Sequence, residues 1–147
     1  MAYEIAEQNT GEAKLILAGI RENGVVIAKK LQQLLKDIFR GETTVMEIEV
    51  DDKRFPKKIV LSQIENFDGA VIIVVDDVAN SGKTMLYALQ PFLKSQPKKI
   101  QTLALVDRTH KTFPVHTDYV GFALATTLQD HIFVEVSGEK VTGAWLE

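Results

Sequence analysis

Three mostly apolar runs divide the chain. They are LILAGI at 15–20, AVIIVV at 70–75 and IQTLALV at 100–106. Continuous apolar runs of this length are typical of strands that are covered on both faces, as in a parallel sheet between two layers of helices. The runs therefore predict the central strands of such a sheet.

Helical spacing fills the intervals between these runs. Between the first two, apolar residues recur every three or four positions, at Val25, Ala28, Leu31, Leu35 and Ile38, and Gly41 follows as a stop signal. A second helix is predicted from Gly82, and Pro91 is expected to kink or end it. Segment 44–50 alternates like a strand, and 51–58 is a polar loop.

The order of these elements predicts an α/β fold in one domain spanning 1–147. Strands that alternate with helices form a parallel sheet with helices on both faces. The remainder of the chain, with short strand patterns at 118–124, 131–136 and 141–146, predicts a small strand-rich C-terminal hood. In such sheets ligands bind beyond the carboxyl ends of the strands, so the loops 21–24, 76–82 and 107–112 are expected to converge.

Composition narrows the classes of function. The chain has 147 residues, a net charge of −3 and no cysteine, which excludes disulfides, thiolate metal sites and cysteine nucleophiles. The mildly acidic charge does not favour general binding to nucleic acid or to an anionic membrane. No apolar run approaches the roughly 20 residues of a membrane span. A cytoplasmic protein without a membrane partner is expected.

The segment VIIVVDDVANSGKTML, from Val71 to Leu86, holds the main candidate site. Its Gly-Lys-Thr suggests the phosphate loop of a nucleoside triphosphatase, which needs a glycine five positions before the Gly-Lys pair. Asp77 stands at that position instead. A carboxylate there would face the triphosphate, so the spacing excludes this interpretation.

A ribose 5-phosphate fits the same segment better. A strand ending in Asp76 and Asp77, a four-residue turn and a helix start would present backbone N–H groups to one terminal phosphate. The two carboxylates would accept hydrogen bonds from a vicinal diol, or hold water on Mg²⁺. The alternative is that the acids only cap a helix or pair with a lysine.

VIIVVDDVANSGKT also resembles the phosphoribosyl pyrophosphate (PRPP) signature of type I phosphoribosyltransferases. The resemblance implies that Asp76 and Asp77 hold the ribose hydroxyls and, through water, Mg²⁺. It implies that the 5-phosphate lies on Ala79, Asn80, Ser81, Gly82, Lys83 and Thr84. These enzymes commonly form homodimers, so a homodimer is expected.

GIRENG at 19–24 looks like the pyrophosphate loop of the same family, although such a segment is often only a turn. The resemblance gives the pyrophosphate-binding role to Arg21, Glu22, Asn23 and Gly24, and implies a cis peptide near Ile20–Arg21. Asp76, Asp77 and Arg21 are then the expected catalytic residues. Lys53 and Arg54 are the counterparts of a flexible catalytic loop that closes over the site.

LALVDRTHKTFPVHTDYVG at 103–121 is similar to the bifunctional pyrimidine operon attenuator and uracil phosphoribosyltransferase family, which the chain matches over nearly its whole length. The resemblance implies a pentosyl-transfer enzyme of pyrimidine salvage, with uracil as the favoured base. The expected base-binding residues are Asp107, Arg108, Tyr119, Val120, Ile132 and Phe133. Any of the apolar residues in this set could instead belong to the hydrophobic core. The only role of Asp107 could be to pair with Arg108.

Two other functions stay open. One is a nucleotide-sensing regulator that binds RNA; it ranks lower because the chain is mildly acidic and its basic clusters are short. The other is a phosphoribosyltransferase fold with reduced catalysis. Asn80 keeps it open, because purine salvage enzymes usually place there an acid that helps to deprotonate the base.

Overall fold

A computed structural model describes residues 1–53, 55–63, 66–125, 130–138 and 140–147. The main sheet has six strands in the order β3-β2-β1-β4-β5-β6. Its strands are β1 (Lys14–Ile20), β2 (Glu42–Val50), β3 (Ile59–Leu61), β4 (Val71–Ala79), β5 (Lys99–Arg108) and β6 (Tyr119–Leu124). Only β3 runs antiparallel to its neighbour within this sheet. The predicted parallel sheet is confirmed.

Helices cover both faces of this sheet. They are α1 (Ala2–Gln8), α2 (Asn23–Leu35) and α3 (Lys83–Ala88), and α3 is followed by a 3-10 helix (Gln90–Lys94). Pro91 lies in that short helix, so the predicted second helix ends early. No helix in the described ranges is long and apolar enough to cross a bilayer.

Alternate side chains of β1 and β4 enter two separate cores, as the strand period of two requires. Leu15, Leu17, Ile73 and Val75 pack against α1 and α2. Ile16, Ala18, Ile72 and Val74 pack on the opposite face, against α3 and the 3-10 helix. The two central strands are therefore buried from both sides, as their continuous apolar runs predicted.

The C-terminal strands divide differently from the prediction. β6 joins the main sheet beside β5, and only β7 (Ile132–Ser137) and β8 (Lys140–Leu146) form a separate antiparallel hairpin. The hood is therefore this hairpin alone. Strand β3 was not predicted, because three residues are too few to show a period.

Strand β4 is also longer than its apolar run. It continues through Asp76 and Asp77 to Ala79, and pairs with β5 along that extension. The two acids therefore lie within the last residues of a central strand, and the turn that follows is shorter than predicted. Ladder hydrogen bonds fix their backbone more firmly than a turn would.

Gly24 packs directly on the backbone of β4 and should not tolerate a side chain. A Cβ there would lie 2.4 Å from the Val75 carbonyl oxygen. We expect Gly24→Ala to lower the free energy of unfolding by about 2 kcal/mol, the usual size of an overpacking penalty. Urea unfolding measures it, with Gly143→Ala as control, because a Cβ at Gly143 meets nothing within 4 Å. Equal losses in both variants would contradict the close approach.

Candidate functional site

The predicted loops meet at the carboxyl end of the sheet, where the segment 76–84 lines a cavity of about 460 Å³. Its described lining is Lys53, Asp76, Asp77, Val78, Ala79, Asn80, Ser81, Gly82, Lys83, Thr84, Met85 and Ile132. The Ser81 carbonyl accepts the N–H groups of Thr112 (3.1 Å) and Phe113 (3.0 Å). The Asn23 amide nitrogen reaches a carboxylate oxygen of Asp77 at 2.7 Å. These contacts confirm that the three loops converge.

Asp76 and Asp77, the acid pair, differ sharply in environment. Asp76 is 3% exposed, and its Oδ1 accepts the N–H of Asp77 at 2.9 Å. Asp77 is half-buried; its Oδ1 accepts the N–H of Val78 at 2.8 Å, and its Oδ2 accepts from Asn23. Both carboxyl groups line the cavity, so a ligand there meets one buried and one better solvated acid.

Burial raises the pKa of the Asp76 carboxyl to about 8. The Lys53 ammonium, 3.8 Å from Oδ1, opposes this rise, and the neighbouring Asp77 carboxylate adds to it. Burial removes the water that would stabilise the ionised carboxyl group. A ligand that donates hydrogen bonds or brings a cation can replace that water, so such a carboxyl group is well suited to bind one.

Residues 79–84, the Gly82 loop, form one wall of the cavity. Gly82 adopts φ +81°, a conformation that favours glycine, and it immediately precedes α3. A Cβ at Gly82 would lie 3.3 Å from the Phe113 carbonyl oxygen. The Ser81 hydroxyl accepts the N–H of Lys83 at 3.3 Å. The loop therefore makes a tight turn, and its residues, including the hydroxyl-bearing Ser81 and Thr84, line the cavity.

The 51–58 loop contributes Lys53 to the lining of this cavity. At the start of the loop, the Asp51 Oδ1 accepts the N–H groups of Lys58 (3.1 Å) and Lys57 (3.0 Å), so the two ends of the loop are joined. These hydrogen bonds hold the pKa of Asp51 below its usual range. Further along, Lys53 reaches Asp76, and its carbonyl accepts the Thr84 hydroxyl at 3.4 Å. Lys53 thus lines the predicted site, whereas Arg54 lies outside the described residues.

The Lys83 side chain connects the Gly82 loop to one aromatic ring of the 51–58 loop and to one of the segment after β5. The Lys83 ammonium lies 5.0 Å from the centroid of the Phe55 ring and 5.9 Å from that of Phe113. Contacts of this kind are worth about 0.5–1 kcal/mol at exposed sites. Phe55 was not predicted, because a single phenylalanine in a polar loop carries no periodic signal.

The predicted pyrophosphate residues are not among the described residues that line the cavity. Arg21 turns toward β2, with Nε 3.2 Å from Glu47 and Nη1 3.2 Å from Glu49. The cis peptide is at Arg21–Glu22, one peptide bond later than expected. Glu22 is exposed, Asn23 points at Asp77, and Gly24 packs under β4. A catalytic role for Arg21 would require its guanidinium to leave these two carboxylates.

A second cavity of about 170 Å³ adjoins the first and shares two residues with it. It is lined by Asn80, Arg108, Asp130, His131, Ile132 and Phe133. The Phe133 ring stacks between His131 and Trp145, at centroid distances of 6.4 and 6.1 Å. The guanidinium of Arg108 donates to the Asp130 carbonyl. Three of the predicted base-binding residues, Arg108, Ile132 and Phe133, therefore lie together beside the acid pair.

The other three base-binding candidates are placed elsewhere. Tyr119 is fully buried at the amino end of β6, where its hydroxyl donates to Gln101 at 3.0 Å and accepts from Asn9 at 3.2 Å. Val120 follows it there, beside Ala104. Neither residue is among the described residues that line the two cavities, and Tyr119 belongs to the core, which corrects the expectation for both.

Asp107 is held inside the fold. Its buried carboxylate lies 2.6 Å from the Lys111 ammonium and accepts the Thr117 hydroxyl at 2.8 Å. The expected pairing with Arg108 is therefore replaced by one with Lys111. Lys111 also donates to the Arg108 carbonyl at 3.1 Å. Asp107 thus fixes the 107–112 loop that supports the Gly82 loop.

Comparison with known proteins identifies the family to which this chain belongs. Residues 1–139 match the phosphoribosyl transferase domain. The chain belongs to the phosphoribosyltransferase family. It is 34% identical over 142 residues to the bifunctional protein PyrR of Streptococcus thermophilus (strain CNRZ 1066), a match that covers 93% of this chain and 82% of that protein. The pyrimidine operon regulatory protein of Lactococcus lactis subsp. lactis (strain IL1403) matches with the same identity and coverage.

Solved structures share the fold of this chain. The hypoxanthine phosphoribosyltransferase of Trypanosoma cruzi, in complex with the product IMP, superposes with a TM-score of 0.71 at 19% identity, over 84% of this chain and 67% of that one. The hypoxanthine-guanine phosphoribosyltransferase of Bacillus anthracis gives 0.68 at 23% identity, over 84% and 72%. These similarities establish the architecture that carries the acid pair.

The acid pair fits Mg²⁺, the cofactor that the family implies. Mg²⁺ takes oxygen ligands and usually keeps several waters, bound through one or two carboxylates plus substrate phosphates. Within the described ranges no group of three or more His, Asp or Glu side chains could hold a metal. Asp76 and Asp77 would therefore hold the ion through water, and the substrate's own oxygens would supply the other positions.

The buried Asp76 carboxyl predicts an unusual pH dependence of stability. Its folded pKa of about 8 lies above the ordinary 3.8, so between these values the folded chain keeps a proton that the unfolded chain has lost. This contribution to stability is complete below pH 4 and is lost as the pH rises through 8. We expect the free energy of unfolding to fall across that window by up to about 1.4 kcal/mol per pH unit.

Urea unfolding at several pH values between 5 and 8.5 checks this, comparing the native chain with Asp76→Asn. The variant should show a flatter profile and greater stability at pH 8, because an amide has no proton to lose. Asp37→Asn, at an exposed position after α2, is the matched control and should follow the native profile. Parallel profiles for the native chain and Asp76→Asn would show that Asp76 is ionised throughout.

Proposed function

We propose that this phosphoribosyltransferase joins a nucleobase, with uracil as first choice, to ribose 5-phosphate from PRPP and releases pyrophosphate. The observation that carries the proposal is the meeting of the acid pair with the Gly82 loop in one cavity, beside a second cavity lined by Arg108 and Phe133. Together the two cavities offer groups for each part of the product, which are phosphate, ribose and base.

The first cavity suits a phosphorylated ribose rather than a nucleoside triphosphate. The Gly82 loop provides donors for a single terminal phosphate, as tight loops before helices do. At the other end, Asp76 and Asp77 offer acceptors for the 2- and 3-hydroxyl groups. A triphosphate would bring its charge against these carboxyl groups, which makes that ligand unfavourable.

The reaction that we propose replaces one bond at ribose C1 by another. The bond from C1 to the pyrophosphate oxygen breaks, and pyrophosphate leaves with the bonding pair. A nucleobase nitrogen forms the new bond to C1 and loses its proton to solvent or to the departing pyrophosphate. The transition state has oxocarbenium character, as in glycoside hydrolysis. Mg²⁺, when bound, would neutralise charge on the pyrophosphate.

The protein's own part is to position the reactants and to stabilise separated charge. The acid pair would orient the sugar and stabilise positive charge on its ring. Lys53 of the 51–58 loop lines the cavity, where an ammonium that leaves Asp76 could approach the pyrophosphate. Closure of that loop over bound PRPP would exclude water and so prevent hydrolysis.

The base specificity is proposed from the second cavity and from the relatives. Asn80 faces both cavities where a carboxylate would be expected for a purine. An amide cannot accept a proton, so a general base at this position is absent. The relatives described as pyrimidine operon regulators favour a pyrimidine base. We keep the homodimer as a prediction, which sedimentation measures.

A nucleotide-sensing regulator that acts on RNA is the second candidate, favoured by the names of those relatives. It would bind a nucleotide in the same cavities, with or without catalysis. The test is a gel shift of a pyrimidine-operon leader RNA with and without UMP. A shift that depends on UMP, with no turnover of PRPP, would support the regulator and contradict the enzyme.

A panel of nucleobases with PRPP and Mg²⁺, scored by pyrophosphate release, tests the enzyme directly. We expect turnover with uracil and at least tenfold less with hypoxanthine or guanine, because Asn80 cannot assist a purine as an acid would. Asp76→Asn/Asp77→Asn should abolish PRPP binding in calorimetry, whereas Asp37→Asn should leave it unchanged. PRPP binding that survives the double substitution would contradict the assignment of the acid pair.

A further inference from the structure

The side chain of Asn23 lies between the acid pair and the C-terminal hairpin. It is the first residue of α2, and its amide nitrogen is 2.7 Å from Asp77 Oδ2. The same nitrogen is 3.3 Å from the carbonyl oxygen of Val134 in β7. One amide group therefore contacts both the strand that carries the acids and the strand that borders the second cavity.

An asparagine matches these two acceptors chemically. A carboxylate and a backbone carbonyl can only accept hydrogen bonds, and an amide NH₂ group has two hydrogens to donate. Asp77 Oδ1 is already engaged by the N–H of Val78, so the contact to Asn23 gives the second oxygen a partner. The carboxylate is thereby held in one orientation by two donors.

Capping of the helix does not explain this residue. The N-cap of α2 is Glu22, and the cap makes no side-chain hydrogen bond to the helix. Asn23 instead points away from its own helix, toward β4 and β7. The sequence predicted a pyrophosphate-binding role for Asn23, but in the structure its amide is directed at Asp77.

Val134 connects this contact to the base side of the site. It lies two residues after Ile132 in the same strand. Ile132 lines both cavities. A hydrogen bond to the Val134 carbonyl therefore fixes the strand position that sets where Ile132 stands.

We propose, resting on the function proposed above, that Asn23 is a positioning residue which orients the Asp77 carboxylate toward the ribose hydroxyls and ties the hairpin to it. The ribose and base subsites are then connected through one amide. Loss of this amide should weaken PRPP binding and loosen β7 together, although Asn23 contacts neither reacting atom.

The test compares Asn23→Ala and Asn23→Asp with a control on the same helix. Gln32→Ala removes a similar amide contact, to the Thr43 carbonyl at 2.6 Å, far from the cavities. In calorimetry with PRPP and Mg²⁺, we expect Asn23→Ala to bind about tenfold more weakly, the size of a lost hydrogen bond to a charged group. Asn23→Asp should bind more weakly still, because two carboxylates then face each other.

Hydrogen exchange of the ligand-free chain gives a second readout. The exchange rates in β7 should not change if Asn23 has only a local packing role. Asn23→Ala should speed exchange at the amides of residues 132–137, and Gln32→Ala should not. In an Asp77→Ala background, Asn23→Ala should cause no further loss of PRPP affinity, because the two residues act as a unit. Thermal unfolding of each variant checks the fold, and the isosteric Asn23→Asp carries the comparison if Asn23→Ala unfolds.

The outcomes separate this inference from the function on which it rests. If the native chain fails to bind PRPP, the proposed function is wrong and the role of Asn23 toward ribose falls with it. If the native chain binds PRPP and Asn23→Ala matches Gln32→Ala in both readouts, only the positioning role is overturned. Weaker PRPP binding without faster exchange in β7 would overturn the tie to the hairpin.

Discussion

The burial of a carboxyl group at the end of a central strand is the constraint on which the site depends. Asp76 belongs to the β4–β5 ladder and is almost fully covered, so its charged form lacks the water that would stabilise it. The chain offsets part of that cost with the Lys53 ammonium and the N–H of Asp77. A ligand that brings hydroxyl donors and a hydrated cation replaces the missing water, so the unfavourable burial becomes a basis for binding.

The surrounding elements hold this acid and its neighbour in place. The Ser81 carbonyl is bonded to the backbone after β5, and Lys111 with Asp107 fixes that segment in turn. On the other side, Asn23 connects Asp77 to the hairpin. The site is therefore built on three loops and one hairpin that contact each other, and Lys53 of the 51–58 loop adds to its lining. Such contacts keep acceptors and donors in fixed positions before a ligand arrives.

Features that lie close together in the sequence were predictable, and those that depend on tertiary contacts were not. The buried strands, the acid pair and the Gly82 loop each have a local pattern. Tyr119 looked like a base-stacking residue, but its position at the amino end of β6 places it in the core with Asn9. Arg21 looked free for a ligand, yet Glu47 and Glu49 of β2 lie beside it. No spacing along the chain reveals such neighbours.

A crystal structure of the chain with PRPP and Mg²⁺ would show directly whether the acid pair and the Gly82 loop bind this ligand. We expect the 5-phosphate within hydrogen-bonding distance of the Gly82 loop and the ribose hydroxyls at Asp76 and Asp77. Density for the 5-phosphate elsewhere, or a ribose that leaves both carboxyl groups untouched, would contradict this expectation.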